Sequence, residues 1–242
     1  PSLMSKFTLF QYTFQHRNFK TIKFLMRYID FSKIHPVQAV PNNFGELEPS
    51  LHMKLCSSAA SSLNFSFEEP RKISNLWLEL LKKGLYDQDS FVHTAFKKAS
   101  KSSYPRTQMD SENVAFLAGL FRAIIILMSA GAKTKDFCHE HTLLANCQYH
   151  SALSTLGWQP EFREFTEWLS LQLRNAASLR LLCAKQVRHD IYLREKQNLT
   201  VVDEFHIPEP VKDLLRYHSI ELPPVAERLE RLIDRLEAGY LQ

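Results

Sequence analysis

Residues 178–217 read SLRLLCAKQVRHDIYLREKQNLTVVDEFHIPEPVKDLLRY, and the rest of the chain is organised around them. Leu179, Leu182, Cys183 and Val187 recur at helical spacing, so a helix carries them as one narrow apolar stripe. Arg180, Lys185, Arg188 and His189 take the rest of its circumference. The small cysteine in mid-stripe leaves a shallow place where a partner's apolar side chain can sit. Asn198-Leu199-Thr200 then interrupts the pattern, and Pro208 and Pro210 exclude a helix interior. Helical spacing resumes at Val211, Leu214 and Leu215. A helix, a break and a proline-led second helix hold little core of their own. The apolar face must be covered either by the preceding domain or by a partner.

Two motifs in this stretch resemble those of a known module. Ser178-Leu179-x-x-x-Cys183-x-x-x-Val187 is similar to the BC box that binds elongin C. Ile207-Pro208-Glu209-Pro210-Val211-Lys212-Asp213-Leu214-Leu215 is similar to the cullin box that follows it, with Ile207 and Glu209 as its departures from the common pattern. In this order and at this separation they resemble a SOCS box. The resemblance implies that Ser178, Leu179, Leu182, Cys183 and Val187 contact elongin C. It likewise implies that Ile207, Pro208, Pro210, Val211, Leu214 and Leu215 face a cullin.

The composition sets the class of the remainder. With 45% hydrophobic and 23% charged residues among 242, the chain can bury a sizeable core. Only six glycines and few alternating β-branched runs point to a mainly α fold. A net charge of +4, spread along the chain, gives no reason to expect a nucleic-acid partner. Four cysteines form no dense framework, which fits a reducing cytoplasmic or nuclear setting. The most apolar run, Val114 to Ala132, has Arg122 at its middle, where a bilayer would exact about 2.5–3.5 kcal/mol. A buried helix is expected there, not a membrane span.

Taken in order, residues 6–30 suggest two short apolar helices around a polar turn at Gln15–Asn18. They resemble a degenerate ankyrin repeat, through Thr8-Leu9-Phe10-Gln11 and Ile22-Lys23-Phe24-Leu25-Met26. Residues 31–50 have loop composition, and 51–64 read as a helix rich in small residues. Ile73, Leu76, Trp77, Leu80 and Leu81 share a helical face that stops at Gly84. Phe91 to Phe96 open a further helix, and Lys97 to Gln108 reads as a solvated polar loop. Asp110 to Asn113 offer N-terminal caps for the long apolar helix, whose close, LMSAGA at 127–132, again resembles an ankyrin repeat. Phe162, Phe165, Trp168 and Leu169 form the inward side of the helix at 161–173. Val225, Leu229, Leu232, Ile233 and Leu236 make a stripe suited to docking, to a short coiled coil or to capping a stack.

Chemistry-bearing patterns are sparse. There is no nucleophile elbow, phosphate-cradling glycine loop or HExxH, so no enzyme is expected. Cys138, His139, His141, Cys147 and His150 offer metal-ligand types, but the two pairs are too close for a common zinc finger. Ordinary structural residues are expected there, with no metal and no cofactor.

The whole resembles the ankyrin-repeat and SOCS-box family. This implies a degenerate ankyrin-like helical domain over 1–155, a connecting amphipathic helix over 156–177, a SOCS box over 178–217 and a C-terminal helix over 218–242. Within the SOCS box, the BC box spans 178–187 and the cullin box 207–215. The implied function is a substrate-recognition adaptor of a cullin-RING ubiquitin ligase, with elongin C, elongin B, a cullin-5-type scaffold and its RING subunit as partners, and an unknown protein as substrate. The alternative is a helical interaction scaffold with no ligase partner. Exposure of the Leu179/Cys183 face in the free chain separates the two.

Overall fold

Apolar residues at helical spacing and the scarcity of glycine give a mainly α fold. The computed structural model describes residues 9, 12–13, 16, 18–28, 40–41, 47–48, 70–82, 88–103, 111–133, 140–146, 160–175, 178–191 and 199–239. Its helices are α1 (Phe19–Met26), α2 (Pro70–Lys82), α3 (Gln88–Ser102), α4 (Ser111–Ser129), α5 (Pro160–Arg174), α6 (Leu179–His189), α7 (Glu209–Leu215) and α8 (Pro224–Gly239). Residues 9, 12–13 and 140–146 are also helical, and Leu199–Glu204 forms a 3-10 segment. Two short strands, β1 (Val40–Pro41) and β2 (Leu47–Glu48), pair antiparallel with Val40 opposite Glu48. The expected helix at 51–64 lies outside the described residues.

The chain divides into two compact units, each assembled from segments distant in sequence. One comprises Pro1–Ser62, Leu76–Asp87 and Leu179–Ile220, and the other Leu63–Asn75, Gln88–Ser178 and Glu221–Gln242.

The second unit is built on α4. Its residues from Ala115 to Leu127 are buried on nearly every side, as an all-round apolar helix requires. α3 packs on it through one of its faces, and α8 packs on both α4 and α5. The stripe of α8 is therefore used within the chain: Val225, Leu229, Leu232 and Ile233 are buried. Phe121 stacks on Phe165 at 4.0 Å between ring centroids and meets Phe162 edge-on at 4.9 Å. Phe162, Phe165 and Leu169 are fully buried as expected, while Trp168 is half-buried. Arg122, 7% exposed in the midst of this core, donates to Asn75 Oδ1 at 2.9 Å and pairs with Glu230 at 3.4 Å. Among the described residues no helix is long and apolar enough to cross a membrane. α4 ends as LMSAGA suggests, with Gly131 at φ 96°. The N–H of Gly131 bonds Met128 and that of Ala132 bonds Leu127, both at 2.9 Å, closing the last carbonyls.

One expectation is corrected here. Lys97 to Ser102 is not a solvated loop but the end of α3. Ala99 and Ser100 lie one turn beyond the buried Ala95 and Phe96 and are buried with them. The Ser100 and Ser103 hydroxyls satisfy themselves by donating to Lys97 O and Ser100 O. The Asn146 amide donates to Ser100 O at 3.0 Å and to Ser103 Oγ at 3.2 Å. Burial first, then the Lys101 and Lys97 charges, lowers the pKa of the Lys98 ammonium.

Candidate functional site

The residues singled out from Leu179 to Leu215 lie on α6, on α7 and just before α7, all in the first unit, while Ser178 is the last residue of a segment of the second. α6 is folded inside out by the usual standard. Its buried line is Ala184 and Arg188, at i and i+4, continued by Ile191 just past its end. Its apolar stripe lies on the other side: Leu179 is 76% exposed, Leu182 38% and Val187 39%. Cys183 is an exposed free thiol, and Ser178, just before the helix, is exposed as well. A helix normally buries its leucines and leaves its arginine in water. Here Leu179 and Leu182 are exposed, Leu181 is half-buried and Arg188 is buried, so every apolar side chain of the expected BC-box set is available at the surface.

Arg188 makes the inversion affordable. Its Nε donates to Leu215 O at 3.0 Å, and its Nη2 donates to Leu214 O. Those carbonyls end α7, where the helix leaves acceptors unpaired and a partial negative charge accumulates. The guanidinium also lies 3.7 Å from the ring centroid of Tyr217, itself buried. The charge is thus met by two acceptors and a π face, which is what burial of a cation demands.

α7 is short, seven residues, and is held at both ends. Pro208 takes the N-cap with ψ 142°, and its carbonyl accepts from Val211 at 2.9 Å and Lys212 at 3.2 Å. Pro210 falls in the first turn, where a missing N–H leaves no intrahelical bond broken. At the far end Tyr217 adopts φ 63°. Its N–H bonds Leu214 O at 3.3 Å, and that of His218 bonds Asp213 O at 2.8 Å. This is the same closure that Gly131 provides in α4, made here by a residue with a Cβ at a cost of about 1–2 kcal/mol. The buried ring and its contact with Arg188 offset that cost.

Charged groups tie α7 to the 3-10 segment, whose Leu199 and Val202 are buried. Lys212 Nζ donates to Asp203 O at 3.0 Å, and Arg216 pairs with Asp203. Arg216 also bonds Glu209 at 3.1 Å, and Lys212 lies 3.9 Å from the same carboxylate. Glu209, one of the two departures from the cullin-box pattern, therefore has an internal role: it faces two cations and the positive end of its own helix.

Of the expected cullin-facing residues, Pro208, Pro210 and Val211 are exposed and Ile207 and Leu214 half-buried. Leu215 is 3% exposed, because it sits on the last turn, where α7 packs on α6. Its side chain belongs to the core of the unit and is not on the outward set. Arg188 and Tyr217, which hold the site together, were not among the expected residues. The signals for them were faint: an arginine opposite a leucine stripe, and a tyrosine where a helix end usually has glycine.

Cys138, His139, Cys147 and His150 lie outside the described residues, and His141 is exposed. Among the described residues no cluster of three or more His, Cys, Asp or Glu is placed to hold a metal ion. Comparison with protein-family models, with curated proteins and with solved structures yields no match for this chain.

Proposed function

We propose that this chain is a substrate-recognition adaptor of a cullin-RING ubiquitin ligase. The outward stripe of α6 would bind elongin C, and with it elongin B. The proline-led start of α7, from Ile207 to Val211 with Leu214, would meet a cullin-5-type scaffold carrying its RING subunit. The helices within residues 1–155, in an ankyrin-like arrangement, would hold the protein substrate. The observation that carries this reading is the exposure of Leu179, Leu182, Cys183 and Val187 on a helix whose other side is anchored through Arg188. A hairpin serving only the fold would turn those side chains inward. Such a role belongs in the cytoplasm or nucleus, where an exposed thiol such as Cys183 stays reduced.

Leu179→Ala combined with Cys183→Ala tests the proposal. A leucine fully buried in a contact contributes about 1.5–3 kcal/mol of apolar transfer, and about 1.4 kcal/mol is a factor of ten in affinity. Elongin B/C affinity, measured by calorimetry, should fall by more than about tenfold. Stability to denaturant should change by less than about 0.5 kcal/mol, as for other exposed positions. A parent chain that does not bind elongin B/C sinks the proposal. So does a double variant that loses its fold while the parent shows no partner.

A further inference from the structure

The amino-terminal segment concentrates the charge of the chain. Residues 1–29 contain Lys6, Arg17, Lys20, Lys23 and Arg27 and no Asp or Glu, a formal charge of +5 where the whole chain carries +4. All the net positive charge thus resides in this segment. On α1 and the turn that follows, Lys20, Lys23, Phe24, Arg27 and Tyr28 fall at i, i+3, i+4, i+7 and i+8, which is one helical face. All five are exposed, Phe24 by 55% and Tyr28 by 62%. The opposite side is buried through Ile22 and Met26. The two rings touch, with centroids 4.9 Å apart and planes inclined at 51°.

We propose that this face binds an acidic peptide segment, bearing one apolar anchor residue, on the protein substrate; the assignment to a substrate rests on the adaptor function proposed above. The inclined rings make a corner that receives a single apolar side chain. Three cations lie within a turn of it, with no carboxylate on the helix to compete for them. Complementary charge of this kind steers encounter and fixes register. Two other anionic partners suit the face less well. Single-stranded nucleic acid stacks its bases on aromatic ring faces, and here each ring turns toward the other at an angle. A helix lying in an anionic bilayer inserts one apolar face and keeps its cations on the opposite one. In α1 the rings and the cations share a face, while the aliphatic side is occupied by the chain's own core.

The test is selection from a random-peptide display library on the immobilised full chain. It is repeated on a Lys20→Glu/Lys23→Glu/Arg27→Glu variant and on a Phe24→Ala/Tyr28→Ala variant. The parent should enrich peptides rich in Asp and Glu around a Trp, Phe or Leu. Synthetic copies of those peptides should bind either variant more weakly by about tenfold or more, and bind the parent less tightly as salt rises. Absence of acidic enrichment overturns the proposal, as do enriched peptides that bind both variants as tightly as the parent. Binding of a fluorescent oligouridylate, or of vesicles of phosphatidylcholine and phosphatidylserine, that the charge reversal abolishes while no acidic peptide is enriched overturns it in favour of those partners. Elongin B/C affinity is measured on the same proteins. Its retention in both variants shows that they fold, and its absence in the parent defeats the adaptor reading without touching the peptide result.

Discussion

Arg122 in α4 and Arg188 in α6 are both buried, 7% and 1% exposed, yet their helices use them in opposite ways. In α4 the arginine is an exception on a helix that is apolar all round. It reaches side chains, Asn75 and Glu230, and Glu230 is itself part-exposed to water. In α6 the arginine is the inward face. It reaches main-chain carbonyls at a helix end and an aromatic ring, none of which can move aside to be hydrated. A helix that keeps its leucines for the surface must anchor itself by other means, and a charge-assisted bond to a helix terminus is strong enough to serve. The two helix ends repeat the contrast. α4 closes on Gly131, which reaches positive φ without strain, whereas α7 closes on Tyr217, which reaches it only with its ring held down.

That contrast can be broken most forcefully at the all-apolar helix. Phe121→Ala removes a ring stacked on Phe165 and edge-on to Phe162, and should cost about 3–5 kcal/mol in urea denaturation. A loss below about 1 kcal/mol would mean that the aromatic cluster is not the core of its unit. Arg188→Met comes next, at about 2–4 kcal/mol, because a buried and a part-buried carbonyl lose a charged donor together. Arg122→Met should cost less, about 1 kcal/mol, since Glu230 can turn to water and the new side chain suits an apolar surround. Equal losses for the two arginines would erase the distinction between them. The smallest change is expected from Glu209→Gln, under about 1 kcal/mol, as its own carboxylate is well exposed and salt screens the pairs it makes. Repeating that measurement in high salt should bring the difference towards zero.

The class of the fold could be read from periodicity alone, and so could most helices with a wide apolar face. Phe162, Phe165 and Leu169, or Leu76, Leu80 and Leu81, are buried where their spacing places them. What periodicity cannot supply is the direction in which a stripe faces. Leu179, Leu182, Cys183 and Val187 have the same spacing as a core stripe, and only the packing of Ala184 and Arg188 turns them outward. The stripe of α8 has a similar pattern and turns inward onto α4 and α5, aided by Arg228–Glu164 and Arg235–Glu161 pairs. Serines also mislead. Ser100 and Ser103 read as loop, but their hydroxyls bond the carbonyls behind them and can be buried in a helix. The amino-terminal charge was hidden in a different way: an overall +4 looks dispersed until the acids are mapped, and they begin only at Asp30.

The outward leucines of α6 also bear on how the protein is to be handled and how long it lasts. A stripe of Leu179, Leu182 and Val187 with a free thiol among them is a sticky surface when nothing covers it. On the adaptor reading, the uncomplexed chain is an orphan subunit that self-associates as its concentration rises and is cleared by chaperones and proteases. Its abundance would then track the supply of elongin B/C more closely than its own synthesis. On that same reading, co-expression with elongin B/C would be the direct route to a monodisperse sample.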